Sequence, residues 1–162
     1  MSQLISVIIP AFNEEKTIAE CLKSLKNQTY KPIEIVVIDD GSSDSTRNIV
    51  KGFLNIKLLT QIHKGPGQAR NLGAAKAKGE ILVFVDADMT FDENFIKDLV
   101  KPIIDGKTIG TFSKNEMVKK QGNLWAICWN INKNLPKDRM IPIDYPDQAS
   151  VFRAILKKEF DK

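Results

Sequence analysis

Ile81-Leu82-Val83-Phe84-Val85-Asp86-Ala87-Asp88 is the stretch on which the fold turns. Five apolar residues, most of them β-branched or aromatic, run unbroken into two carboxylates two positions apart. A run so short and so apolar reads as a strand buried on both faces, as in parallel sheets. Three runs upstream share the pattern: Leu4–Pro10, Ile33–Ile38 and Ile56–Ile62. Between them the spacing turns helical. Ile18, Leu22 and Leu25 follow Asn13-Glu14-Glu15, a capping residue with acids behind it, in a helix expected to reach about Asn27. Ile49, Val50 and Phe53 follow Ser43 or Asp44, either of which caps a second helix. The turn His63-Lys64-Gly65-Pro66-Gly67 leads into a third helix, Gln68–Lys78, which carries Arg70. Strands alternating with helices predict an α/β fold, a mostly parallel sheet with helices on both faces.

Beyond about residue 107 the rhythm changes. Thr108–Ser113 is a strand candidate, Leu124–Ile131 a helix, and residues 134–147, with Pro136, Pro142 and Pro146, a loop. Ala149–Ala154 is a further strand candidate, and Ile155–Lys162 begins a helix. The 162 residues are enough for one domain with a real core. At 43% hydrophobic and 27% charged, the composition is that of a folded globular chain. A net charge of +4, from 24 basic and 20 acidic residues, permits contact with phosphates or an anionic membrane surface, and no nucleic acid partner is expected. Cys21 and Cys128 sit in apolar helical patterns without metal-site spacing, which fits core residues in a reducing compartment. No secretion leader is recognisable, and no run approaches the roughly 18 apolar residues of a bilayer span. A cytoplasmic location is expected, with membrane association of the intact protein left open.

Polar clusters fall at the C-terminal ends of the four strands: Pro10–Glu14, Asp39–Gly41, His63–Arg70 and Asp86–Asp88. In open parallel sheets that edge carries the ligand crevice. Glycines and helix N-termini there offer N–H groups to phosphates, and Arg70 adds a fixed charge. Asp86 and Asp88 repel one another unless something positive lies between them. A hard divalent cation, shared with a ligand's phosphates, answers that need and would neutralise a departing diphosphate. The alternative is that they cap the turn before Asn94. Asp39 and Asp40 suggest a split role, one capping the next helix and one, expected to be Asp39, facing the crevice to accept an N–H from a base. Glu14 is a weaker candidate beside Glu15, since both suit a helix N-terminus. His63 is alone and fits a structural or rim position.

Together, Pro10-Ala11-Phe12-Asn13-Glu14-Glu15, Ile38-Asp39-Asp40-Gly41-Ser42-Ser43-Asp44, Gly65-Pro66-Gly67-Gln68-Ala69-Arg70-Asn71-Leu72-Gly73 and Val85-Asp86-Ala87-Asp88 resemble the family 2 glycosyltransferases of GT-A (Rossmann-like) fold, over about residues 4–105. The resemblance implies that Asp86-Ala87-Asp88 is the family's DXD motif. It implies that Pro10, Ala11, Phe12 and Asp39 frame a nucleotide base, with Glu14 at the ribose. Arg70 would reach the diphosphate, with Gly65 and Ala87 also on the donor side. Asp86 would meet the sugar or ribose, and Asp88, with Asp86 beside it, the Mg²⁺ or Mn²⁺. The implied reaction is metal-dependent, inverting transfer from a UDP- or GDP-sugar to a hydroxyl or lipid-phosphate acceptor, saccharide or lipid-linked.

Ser150-Val151-Phe152-Arg153-Ala154 through Glu159-Phe160-Asp161-Lys162 resembles the family's acceptor-side stretch. On that likeness residues 1–105 are the donor half of a single domain and 106–162 the incomplete start of the acceptor half. The catalytic base is expected beyond Lys162, in a longer natural protein, since Asp161 comes too early. Lack of a general base costs about 10²–10⁴-fold.

A nicotinamide-binding fingerprint would need glycines where Pro10-Ala11-Phe12-Asn13 stands, and no Gly-Lys-Ser/Thr phosphate loop occurs. Asp86-Ala87-Asp88-Met89-Thr90 also matches the nucleophile motif of haloacid-dehalogenase-type phosphatases. That match leaves the three upstream clusters unexplained. A non-catalytic nucleotide-sugar-binding domain is the other alternative. Residues 114–139 hold Lys114, Lys119, Lys120, Lys133, Lys137 and Arg139 around Trp125 and Trp129. They read either as a peripheral membrane or acceptor face or, preferably, as a solvated helix packing its tryptophans inward.

Overall fold

The computed structural model describes residues 2–113 and 152–162. The helix expected at Leu124–Ile131, the loop 134–147, Cys128 and the basic stretch 114–139 lie outside the described residues. The chain divides into one compact unit, Met1–Thr111 with Arg153–Lys162, and a second, Phe112–Phe152. Every described strand and helix belongs to the first.

The elements run β1 (Ile5–Ala11), α1 (Ile18–Lys26), β2 (Ile33–Asp39), α2 (Thr46–Lys51), β3 (Ile56–Thr60), α3 (Pro66–Lys76), β4 (Ile81–Phe84), α4 (Phe95–Ile104), β5 (Gly110–Thr111), β6 (Ala154–Leu156) and α5 (Lys157–Phe160). The described strands form one sheet in the order β3-β2-β1-β4-β6-β5. β1 to β4 are parallel, as their apolar runs predicted, while β6 pairs antiparallel with both β4 and β5. Alternation along β1 sorts the core into two layers. Ile5, Val7 and Ile9 share one cluster with Ile18, Leu22 and Leu25 of α1 and Ile96, Val100 and Ile103 of α4. Ile8 joins Val36, Ile38, Leu82 and Phe84 on the other face, under Ala69 and Ala74 of α3. No helix among the described residues is long and apolar enough to cross a membrane.

Boundaries differ from expectation for local reasons. α1 starts at Ile18 because Asn13 takes a left-handed φ of 56°, and the Glu14 carbonyl accepts the Thr17 and Ile18 N–H groups at 3.1 and 3.0 Å. α3 starts two residues early: Gly65, at φ 88°, precedes Pro66, which needs no N–H partner in a first turn. β3 stops at Thr60, and Ile62 is 76% exposed. α4 escaped the sequence reading although Ile96, Leu99, Val100 and Ile103 have helical spacing, since Pro102 sits within it. The proline comes in the last turn, where Lys101 O and Ile103 O still accept the Asp105 and Gly106 N–H groups. Of the strand expected at Ala149–Ala154, residues 149–151 lie outside the described residues; β6 runs Ala154–Leu156, and the closing helix begins at Lys157.

Two glycines set how closely the layers approach. A Cβ on Gly73 would lie 2.6 Å from both Ile38 Cδ1 and Ile8 Cγ2, so α3 lies against the sheet only because that carbon is missing. A Cβ on Gly79, just ahead of β4, would lie 2.6 Å from Ser6 N and 2.7 Å from Leu4 O, which are backbone atoms. The Gly79 N–H donates to the fully buried Ser6 hydroxyl at 2.7 Å, and that hydroxyl donates to Glu34. Gly79→Ala is therefore expected to destabilise the chain by about 1–3 kcal/mol, the range for overfilling a packed site. Gly73→Ala should cost less, because its obstacles are side-chain methyls. Urea unfolding midpoints of the two variants check both the sign and the order.

Candidate functional site

Register aligns Ala11 with Asp39 and Ile8 with Phe84, so the C-terminal ends of β2, β1 and β4 stand side by side. The loops that leave them are tied by backbone donors. Asn13 N–H donates to Ser42 Oγ (3.0 Å), Glu14 N–H to Thr46 Oγ1 (2.7 Å) and Glu15 N–H to Asp44 Oδ2 (3.1 Å). In return Ser43 N–H donates to Asn13 Oδ1 (2.9 Å) and Ser45 N–H to Glu15 Oε2 (3.0 Å). Pro10–Glu14 and Gly41–Thr46 thus form one rigid rim. The Glu14 carboxylate accepts the Thr17 hydroxyl at 2.6 Å, so part of its role is to start α1.

The acidic pair at the end of β2 is buried and fully partnered. Neither member caps α2, nor does Ser43 or Asp44: the cap position is Ser45, and Asp44, just before it, accepts the Thr46 N–H at 2.9 Å. Asp39, expected to face the ligand, is instead fully buried beneath Arg47. Its Oδ2 accepts Arg47 Nε (3.0 Å) and Nη2 (2.6 Å), and its Oδ1 accepts the Ser42 N–H (3.3 Å). A carboxylate so placed needs a cation and hydrogen bonds, and the helix that follows supplies both. Asp40 organises the next loop. It accepts Gln61 Nε2 (2.6 Å) and the N–H groups of Lys64 and Gly65 (2.9 Å each), with His63 Nδ1 at 2.9 Å. Burial by itself would raise the Asp40 carboxyl, but these donors and the adjacent imidazole hold it below the usual carboxylate range. His63 therefore has the structural and rim position expected, and its ring stacks on Phe12 at 4.1 Å between centroids. Phe12 is 43% exposed, leaving an aromatic face at the rim.

Asp86 and Asp88 divide. Asp86, 39% exposed, receives Arg70 Nη2 on Oδ1 at 2.6 Å and Arg153 Nη1 on Oδ2 at 3.3 Å. The positive charge that the acidic pair demands is thus supplied, for Asp86, by two arginines. Asp88 is exposed, and its carboxylate has no hydrogen bond or ion pair among the described residues. Neither side chain caps the turn before Asn94; Asp92 accepts the Asn94 N–H at 2.9 Å. Between them Ala87 is buried, and below lies Cys21, whose thiol donates weakly to Asp86 O at 3.8 Å. Burial pushes that thiol up to about 12, helped by the charges of Asp88, Asp86 and Glu14. A core cysteine was expected here, and Cys21 is fully buried. Among the described residues no group of three or more His, Cys, Asp or Glu side chains encloses a metal. An ion at Asp88 would thus draw its other ligands from a phosphate or water, as Mg²⁺-type sites commonly do.

Arg47 and the Arg153 contact were absent from the sequence reading. No local pattern marks them, since each acts on a carboxylate from another element. Asp86 with both oxygens on guanidinium groups is also a poor fit to the free nucleophile of a phosphatase.

A family model described as Glycosyl transferase family 2 matches residues 6–162. Glycosyltransferase GlyG of Streptococcus pneumoniae is 40% identical over 108 residues, which are 64% of this chain and 36% of that protein. TarS of Staphylococcus aureus, solved in complex with UDP-GlcNAc, matches with a TM-score of 0.64 at 32% identity, covering 76% of this chain and 37% of its own. The mannosyltransferase PcManGT of Pyrobaculum calidifontis, solved with GDP-Man and Mn²⁺, matches with a TM-score of 0.60 at 27% identity, covering 77% and 38%. The chain spans less than half the length of each of these relatives.

The Asp40 network has a measurable signature. Its folded-state pKa lies below the ordinary 3.8, so its contribution is complete above that value and is lost as pH falls through the folded one. Asp40→Asn should lower the urea midpoint at neutral pH. Its midpoint should then fall less than the unaltered chain's on acidification below about pH 4, where that carboxylate would protonate.

Proposed function

The chain belongs to glycosyl transferase family 2, and on that premise we propose that it forms the donor half of a sugar-transferring enzyme. The donor is a nucleoside-diphosphate sugar, a UDP- or GDP-sugar. The acceptor is a hydroxyl or a lipid phosphate on a saccharide or lipid-linked molecule. One observation carries the reading: an exposed Asp88, without a partner among the described residues, stands beside an Asp86 already compensated by Arg70 and Arg153. Such a site holds arginine for phosphate and a spare carboxylate for a cation.

The residues take the following parts. The exposed Phe12 ring, backed by His63, offers a face on which a base can stack, with Pro10 and Ala11 beneath and Glu14 at the ribose. Asp39 acts at the base end through the Arg47 guanidinium that covers it. Arg70, in the second turn of α3, reaches the diphosphate, and the first turn of α3, which Gly65 leads into, adds N–H groups. Asp86 receives a hydroxyl of the donor, and buried Ala87 keeps the two acids apart. A Mg²⁺ or Mn²⁺ held by Asp88 and the donor's phosphates would offset the charge that grows on the leaving diphosphate. Asp86 has both oxygens engaged, so its share in holding the ion is secondary. In the reaction a hydroxyl acceptor gives its proton to a general base, its oxygen attacks the anomeric carbon from the side opposite the diphosphate, and the carbon–oxygen bond to the diphosphate breaks, its electrons leaving with the diphosphate. The new bond therefore has inverted configuration. The solved relatives holding UDP-GlcNAc, and GDP-Man with Mn²⁺, support this class of donor and ion.

Titration calorimetry with UDP, GDP, UDP-GlcNAc and GDP-mannose, each with and without Mn²⁺, tests the proposal. One nucleotide series should bind, more tightly with Mn²⁺. Asp88→Ala should cut that metal-dependent gain by about 10- to 100-fold, at least what an outer-sphere partner of a metal contributes. Absence of nucleotide binding, or binding indifferent to both Mn²⁺ and Asp88→Ala, sinks the idea.

A further inference from the structure

Guanidinium groups of different origin grip Asp86 on opposite oxygens. Arg70 belongs to α3, sixteen residues away in sequence, and Arg153 stands just ahead of β6, sixty-seven residues away. Backbone hydrogen bonds deliver the second arginine. Arg153 N–H donates to Thr111 O at 2.8 Å, while Phe84 N–H donates to Arg153 O at 2.8 Å. Arg153 is thus laced between β4 and β5, beside the strand that leads into Asp86. Its Nη1 also lies 3.5 Å from Phe84 O, so the same nitrogen touches both the strand end and the carboxylate beyond it. One arginine leaves a carboxylate free to turn about its Cβ–Cγ bond, whereas two on opposite oxygens fix its plane. Because Asp86 keeps 39% of its surface exposed, the fixed carboxylate still faces solvent and any ligand there.

From this geometry we infer that Arg153 is a positioning residue for donor binding. It acts through Asp86, holding that carboxylate in the orientation that receives a donor hydroxyl. The inference rests on the donor-site reading above. An arginine that served folding alone would change stability and leave ligand affinity intact. One that touched the ligand itself would act whether or not Asp86 were present.

A double-substitution cycle separates these cases. The probes are UDP-GlcNAc and GDP-mannose, titrated calorimetrically into the 162-residue chain, the tighter binder being carried through. Arg153→Met is expected to weaken binding about 3- to 10-fold, the net worth of an ordinary hydrogen bond, and Arg153→Lys to recover part of that loss. In an Asp86→Asn background the Arg153→Met change should alter binding less than about twofold, since the group it acts through is already impaired. Urea midpoints of every variant report folding separately. If Arg153→Met fails to fold, Arg153→Lys and Arg153→Gln carry the cycle instead. Equal losses with and without Asp86, or no loss at all, overturn the inference while the donor-site reading stands. If the unaltered chain binds neither probe, the donor-site reading falls and this inference falls with it.

Discussion

A carboxylate at the end of a buried parallel strand must find a partner, because in a low-dielectric interior an unpaired charge costs far more than a fold can spare. This chain places such groups at the ends of β2 and β4, and its loops are arranged around their partners. Asp39 draws α2 inward through Arg47. Asp40 gathers the Gln61–Gly65 turn and so sets where α3 begins. Asp86 ties α3 to the antiparallel strand β6 through two arginines. Remove these pairings and the strands could still form, but the rim that makes a site would lose its shape.

Burial divides the acids by role. Asp39 and Asp40, nearly without solvent contact, have both carboxylate oxygens bonded within the protein, and truncating one partner would strand the other. Asp88 is exposed and has no partner among the described residues. Asp86 stands between, half open and firmly held. A binding group with that combination needs little reorganisation when a ligand arrives. The Phe12–His63 stack extends the logic to the apolar end of the rim, since Asp40 holds the imidazole that supports the ring.

Much of this was legible in the sequence, for a physical reason. Strands buried on both faces are continuous apolar runs, so β1 to β4 could be read locally, and their polar ends named the edge where a site would form. Where reading failed, distant partners or local exceptions were responsible. Pro102 hid α4: it forgoes one helix N–H, yet the Asp105 and Gly106 N–H groups still bond to Lys101 O and Ile103 O beyond it. β6 is short, and its antiparallel place beside β4 follows from pairing with Ile81–Val83 rather than from its own composition.

By itself the sequence determined the alternation of strands and helices, the parallel sheet of β1 to β4, and the four polar clusters at its edge, because periodicity and strand-end chemistry are local. Only the tertiary structure decided which acids are held by partners among the described residues and which is not. Asp39 was expected to face the ligand and lies under Arg47; Asp86, expected beside Asp88 at an ion, is held by Arg70 and Arg153. The partners that settle these matters lie 8, 16 and 67 residues from the carboxylates they hold. A carboxylate's role depends on what charge and how much water surround it, and those neighbours meet only once the chain has folded.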